Sequence, residues 1–532
     1  VTEPDVSGRP PASLVVAAVL GLAVALLPIP SLPADAQTTL AVGTVVATLW
    51  VAGGLPLPVT ALLVPVLLVA TGATADLAAA VSGFADPIVF LMLGSFVLAA
   101  ALQRHRVDRR VALTVLVRLG SSPRRLVLGV MLATAGLSMA VSNTATAAMM
   151  VPVAIGLVNE VVPGDGRVVD TASTDAADEP RATPTDGGAT AADPPQSNLR
   201  IATLLGVAYA ASLGGVGTLV GSPPNAIVAA HLRSAVGYDL TFVDWLAIGL
   251  PLVAVTLPLG WYVLVYRVFP PEVDDVSVAR QRARARLREE PPLSARGKRT
   301  VAVFCAVVAL WLAGGLGFLV EGLLSPATYA LLYGGPAATW GPSNGLLDFV
   351  LVGVAAVPAL FVVDAVDWAD VAGIDWGTLV LFGGGISLAN ALTRSGATAW
   401  LADGLVAALV GYPLLVVLGA VVCFSIVLGE LASNTAVAAV LVPLLAGVAP
   451  AYAAILGGTE YAAVVLSVTG AVATSYGFAL PVATPPNAIV FGTGSVTREQ
   501  MFRTGRLLDL LVGGVATLAI YLLARFVWPA VL

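Results

Sequence analysis

The chain has 532 residues, 58% of them hydrophobic and 11% charged, with a formal net charge of −6 and a mean hydropathy of +0.93. So little charge cannot cover a water-soluble globule of this size, and apolar runs of about 20 residues, the length that crosses a ~30 Å hydrocarbon core, recur throughout. The composition therefore excludes a soluble domain and points to an all-α polytopic membrane protein; the acidity belongs to the loops and gives no reason to expect a nucleic-acid partner.

In chain order, Leu14–Leu27 is apolar, but its upstream flank is acidic with only Arg9, and no clear small-residue cleavage site follows. It reads as a first transmembrane helix rather than a signal peptide. Further spans are expected at 38–54, 56–73, 86–103, 200–221, 244–268, 300–323, 347–366, 376–393, 460–483 and 507–530, which makes eleven. Two more apolar stretches, 126–158 and 412–448, are each bent around a polar triplet. Asp86 and Asp375, before equivalent spans, read as interfacial caps. Cys305 and Cys423 fall in apolar runs without partner spacing and read as buried small hydrophobes. His105 and His231 share no metal-ligand spacing.

Seven arginines lie between Arg104 and Arg125, and eight basic residues between Arg280 and Arg299, together 15 of the 26 in the chain. By the positive-inside rule both segments face the cytoplasm. Counting crossings then puts the N-terminus in the cytoplasm and the C-terminus outside. The segment from about Glu160 to Asn198 is rich in Asp, Ala, Thr, Gly and Pro. It lacks the apolar content to fold alone and reads as a disordered cytoplasmic loop.

The polar triplets organise the rest. VSNTATAAMMVP at Val141–Pro152 matches ASNTAVAAVLVP at Ala432–Pro443. Downstream of each comes a Pro-Pro-Asn-Ala-Ile run, GSPPNAI from Gly221 and ATPPNAI from Ala483. Upstream, DPIVFLMLGSFVLAAALQRHRV resembles DWGTLVLFGGGISLANALTRSG. This is an internal repeat. An odd number of spans separates Ser142 from Ser433, so the two hairpins enter from opposite faces. Inverted repeats of this kind characterise secondary transporters, with a site near the midplane.

Pro223-Pro224 and Pro485-Pro486 cannot continue a helix interior, so each pair predicts a span broken into two half-helices around an unwound link. Non-helical backbone at that depth lines a cavity or is buried in protein. Asn offers a donor and an acceptor, Ser and Thr offer hydroxyls, and no Lys or Arg lies near either motif. The set suits a carboxylate held by neutral donors. A dianion there needs compensating positive charge, and a coupled cation is its natural source. One triplet alone is explained by helix capping and helix–helix contact; two, each followed by Pro-Pro-Asn, are not. Glu430, within membrane depth, is a functional candidate by position, and its structural or indirect role is favoured. No HExxH, GxSxG with a His partner, or Asp-rich motif points to an enzyme.

At these residues, and over nearly its whole length, the chain resembles the divalent anion/sodium symporter family, which includes sodium-coupled dicarboxylate, citrate and sulfate transporters. The resemblance implies a homodimer whose protomers combine a scaffold with an elevator-type transport domain holding two re-entrant hairpins. It implies scaffold spans and a basic amphipathic helix in 1–125, and the first transport half in 126–268. A basic cytoplasmic linker would occupy 269–299, the second scaffold half 300–411 and the second transport half 412–532. Two or more Na⁺ ions would be the coupling cofactors. One site would use Ser138, Ser142, Asn143 and the Gly221 backbone; a second would use Gly429, Ala432, Asn434 and Ala483. Substrate would meet Asn143, Thr144, Asn434 and Thr435, with Pro223, Thr484 and Pro485 lining the pocket. Gly429 stands where related transporters often place Thr, which puts that site on backbone carbonyls; Ser222 opposite Thr484 is a milder departure. The expected activity is Na⁺-coupled symport of C4-dicarboxylates; sulfate or another oxyanion, or exchange, is the alternative.

Overall fold

A computed structural model describes residues 12–29, 31–52, 54–118, 122–162, 197–334, 345–409 and 411–530. Every regular element among the described residues is helical. The acidic loop expected at about 160–198 lies almost wholly outside them.

The first group of helices is α1 (Ala12–Leu26), α2 (Ala34–Ala52), α3 (Leu57–Ala70), the short α4 (Leu77–Val81), α5 (Pro87–Arg104) and α6 (Val107–Arg118). There follow α7 (Pro123–Ser138), α8 (Asn143–Val158), α9 (Asn198–Gly215), α10 (Pro223–His231), α11 (Phe242–Tyr262) and α12 (Ser277–Glu289). The basic segment 269–299, expected as a linker, thus carries a helix of its own, which seats Ala279 and Ala283 in the core.

The second half runs through α13 (Ala295–Gly315), α14 (Pro326–Tyr333), α15 (Phe349–Val362), α16 (Trp368–Ala372), α17 (Trp376–Arg394) and α18 (Ala397–Leu409). It ends with α19 (Leu414–Leu431), α20 (Asn434–Leu456), α21 (Thr459–Thr474), α22 (Pro485–Gly492) and α23 (Arg498–Phe526). The last helix starts well before the expected 507. A Thr497–Gln500 capping box nucleates it, and its polar first turns escape an apolar-run criterion. Asp86 and Asp375 are caps as expected, accepting from the Ile88 and Thr378 backbone N–H groups.

Seven helical runs among the described residues are long and apolar enough to cross a membrane, and six shorter apolar helices accompany them. α19 and α20, expected as one bent hairpin, are each among the seven. Outward faces are apolar, with Val362 85% and Leu510 74% exposed. Cys305 and Cys423, expected to be buried, are exposed too. In a chain whose surroundings are hydrocarbon, an apolar run carries no inward bias, so a small apolar residue sits on either face.

α3 packs on α17, and α5 on α15. Both contacts depend on glycine: a Cβ at Gly384 would lie 2.6 Å from the Ala61 carbonyl oxygen, and one at Gly94 would strike the Gly353 backbone. Small residues let transmembrane backbones approach this closely. α7 and α8 pack on α9, while α19 and α20 pack on α21. The two sets are cross-linked: α10 lies on α20 and α21, and α22 on α8 and α9.

Candidate functional site

The site grows from two interrupted helices. α9 ends at Gly215, and residues 216–222 are unwound before α10 begins at Pro223. α21 ends at Thr474, and 475–484 are unwound before α22 begins at Pro485. The Pro pairs fill the first two positions of α10 and α22, where a missing N–H costs nothing. The proline pairs therefore start the second half-helix, and the unwinding precedes them. Asn225 donates to the carbonyls of Gly215 (2.9 Å) and Thr218 (2.8 Å). Asn487 repeats the pattern on Gly477 (3.1 Å) and Leu480 (3.0 Å). Each amide thus satisfies carbonyls freed by the break.

The first triplet joins this link. α7 ends at Ser138 and α8 starts at Asn143, with the Ser142 hydroxyl accepting from the Ala145 N–H as its cap. Asn143 Oδ1 lies 2.5 Å from Ser138 Oγ, and the same hydroxyl donates to the Ala211 carbonyl at 2.7 Å. Turning the Asn143 amide brings its nitrogen within 3.0 Å of Ala211 O, 3.2 Å of Gly221 O and 2.5 Å of Ser138 Oγ. Hydrogen bonding within the protein favours the turned amide, which gives these oxygens a donor. With nitrogen inward, the amide satisfies the surrounding oxygens; with oxygen inward, four oxygens converge with one hydroxyl hydrogen among them. The second arrangement is an all-oxygen, uncharged set suited to a hard monovalent cation. A Cβ at Gly215 would strike Asn143 Oδ1, so the glycine gives the amide its space.

The second triplet is looser. Asn434 Oδ1 is buried without a hydrogen-bond partner. A Cβ at Gly429 would stand 3.4 Å from it and 3.0 Å from the Thr474 carbonyl, which leaves backbone oxygens and one amide oxygen around that point. Ala432 and Ala483 are buried nearby in sequence to the same turn and link. Thr435 is 8% exposed and Thr484 3%, the latter capping α22 by accepting from the Asn487 N–H. Thr144 and Pro485 are exposed and Pro223 half-buried. The two links touch where Ser222 Oγ lies 3.4 Å from Ser475 Oγ.

Glu430 at the end of α19 accepts from the Ala479 and Leu480 N–H groups at 2.7 and 2.8 Å. Asp509 of α23 accepts from the Phe478 N–H at 3.1 Å, and its carboxyl group lies beside that of Glu430. Two acids therefore clamp the second link. The first link is held differently: the Trp245 indole donates to Val216 O at 2.9 Å and the Thr218 hydroxyl to Met139 O. Asp509 was missed in the sequence, although a lone acid within an apolar helix is a signal. The Ala211 carbonyl had none, because a backbone oxygen leaves no mark on residue type.

The description "sodium:sulfate symporter transmembrane region" matches residues 11–532. An uncharacterized transporter of Haemophilus influenzae is 35% identical over 90% of this chain and 89% of its own length. The sodium-dependent dicarboxylate transporter SdcS of Staphylococcus saprophyticus is 32% identical over 91% of this chain and 85% of its own. Two solved transporters share the fold at low identity. YdaH of Alcanivorax borkumensis has a TM-score of 0.50 at 17% identity, covering 85% of this chain and 88% of that one. MtrF of Neisseria gonorrhoeae has a TM-score of 0.52 at 13% identity, covering 84% and 82%. With paired triplets, paired broken helices and a match along almost its entire length, the chain belongs to the sodium:sulfate symporter family of multi-pass membrane transporters.

Proposed function

We propose that this protein is a Na⁺-coupled symporter of C4-dicarboxylates such as succinate, malate and fumarate, working as a homodimer by an elevator movement. The observation that carries the reading is the set of uncharged oxygens of Ser138, Ala211 and Gly221 gathered around the Asn143 amide, which becomes a four-oxygen cluster when the amide oxygen turns inward; the unpartnered Asn434 amide oxygen repeats it in outline. Two such points suit two or more Na⁺ ions. They supply the positive charge that a dianion needs among neutral donors. The similar staphylococcal protein, named a sodium-dependent dicarboxylate transporter, supports the substrate class.

In this reading substrate meets Asn143 and Thr144 from one side and Asn434 and Thr435 from the other, with Pro223, Thr484 and Pro485 between. Ser142, Ala432 and Ala483 complete the sodium shells. The moving body is 126–268 with 412–532; the crosswise packing of α10 and α22 supports treating these segments as one unit. The hairpins are re-entrant, the N-terminus is cytoplasmic and the C-terminus external; the two arginine-rich segments support this orientation.

The test is uptake of labelled succinate into proteoliposomes with and without an inward Na⁺ gradient, with cold malate, citrate and sulfate as competitors. Na⁺-dependent uptake that malate suppresses is expected. Uptake that needs internal dicarboxylate but no Na⁺ would make the protein an exchanger. Transport of sulfate in place of succinate would keep the fold and replace the substrate.

A further inference from the structure

Outside the broken helices, a cavity of about 240 Å³ opens where the corner between α5 and α6 meets the 290–294 segment leading into α13. The C-terminal end of α5 and the N-terminal end of α13 both reach it, so it sits at one rim of the helical body. Its lining is basic: Arg104, His105, Arg106 and Arg110 face it. We infer that this cavity is an anion site for a phosphate-bearing group, read chiefly by Arg106 and Arg110.

The nearby acids are already engaged. Arg104 is ion-paired with Asp367 and Asp370. Glu290, the acid in the lining, is paired with Arg109 at 2.7 Å and is itself 7% exposed. Arg110 gives one guanidinium N–H to the Pro291 carbonyl at 3.1 Å, a neutral acceptor that leaves its charge uncompensated. Arg106 makes no ion pair or side-chain hydrogen bond among the described residues. Two guanidinium groups thus line one small cavity whose acid, Glu290, is already paired with Arg109. Their planar forks match the geometry of phosphate oxygens.

Arg106 also holds its place at a cost. Its φ is 54°, a left-handed conformation that glycine or asparagine adopts easily and a long side chain does not. Glycine there would turn the chain from α5 into α6 without strain. Ser294 adds a third group: its oxygen caps α13 by accepting from the Gly297 N–H, which leaves the hydroxyl hydrogen free for a ligand. The start of α13 lends its partial positive charge to the same space.

The chemistry, a phosphate ester or anhydride, has two sources: the headgroup of an anionic lipid, or a free phosphate compound. The experiment is a thermal-unfolding titration of the purified full-length protein at low ionic strength. One arm uses inorganic pyrophosphate in detergent; the other uses nanodiscs with and without phosphatidylglycerol. Stabilisation in the nanodisc arm alone assigns a lipid headgroup, and stabilisation by pyrophosphate assigns a free phosphate compound. Arg106→Ala with Arg110→Ala should weaken the response at least about tenfold. Arg284→Ala with Arg288→Ala, exposed arginines of α12 outside the cavity, should leave it unchanged. Arg106→Gly guards against a folding failure: it should raise the melting temperature without ligand and still lose the response. No stabilisation in either arm overturns the site. So does an equal loss in the α12 control, because surface charge would then account for the effect.

Discussion

Asn225 and Asn487 make the same two hydrogen bonds, each amide spanning carbonyls ten and seven residues before it. The equivalence holds although the links they close are otherwise fastened by different chemistry. Both asparagines are fully buried. Each satisfies two carbonyls that the broken helix cannot.

Asn225→Ala and Asn487→Ala should therefore each leave two buried carbonyls unpaired, a loss of about 2–4 kcal/mol. The expected result is a similar drop in detergent thermostability for both. A variant as stable as the parent would mean that water or substrate closes the link instead.

Ser138→Ala removes one oxygen from the first cluster and keeps its shape. It should raise the Na⁺ concentration for half-maximal uptake about tenfold or more, with uptake recovering at saturating Na⁺. Asn143→Ala and Asn434→Ala should abolish uptake in folded protein. Normal uptake by either would remove the triplets from the site.

Gly215→Ala should abolish uptake, because the added methyl meets the Asn143 amide oxygen. Gly136→Ala is the control: it lies in α7, close in sequence to the same turn, where a Cβ meets nothing within 4 Å. It should transport normally. Equal behaviour of the pair, measured as initial uptake rates, would show that the crowding at position 215 is absorbed.

Glu430→Ala strips two backbone N–H groups of their acceptor, at about 1–3 kcal/mol for each group left buried and unpaired. Glu430→Gln keeps an acceptor oxygen and should fall between Ala and the parent in thermostability. The ranking Glu, Gln, Ala identifies the residue as a clamp on the second link. Full stability of Glu430→Ala together with lost uptake would instead assign it to substrate or cation binding.

Much of this architecture was legible because its marks are side chains. The duplicated Ser-Asn-Thr and Pro-Pro-Asn runs announced two broken helices, and Asp86 and Asp375 announced their helix starts. What escaped lies in the backbone or in geometry. Ala211 contributes a carbonyl. Gly215 contributes space. Gly214 contributes close packing on α7, where a Cβ would lie 2.5 Å from Ala135 Cα. Residue type does not separate inward from lipid-facing positions in an apolar helix, which is why Cys305 and Cys423 were placed on the wrong face.

The crosswise packing has a consequence for how the protein is made. Ser222 meets Ser475 across 253 residues of chain, and α10 has its seat on helices that the ribosome has not yet produced when α10 emerges. At ~5–20 residues per second, that wait is roughly 10–50 s. During it, a half-built link with polar backbone must be kept out of lipid. The insertion machinery, or water retained beside the nascent chain, has to shelter the first half until α20 and α21 arrive. Truncation after α18 should therefore leave a product that quality-control proteases remove rather than half a transporter.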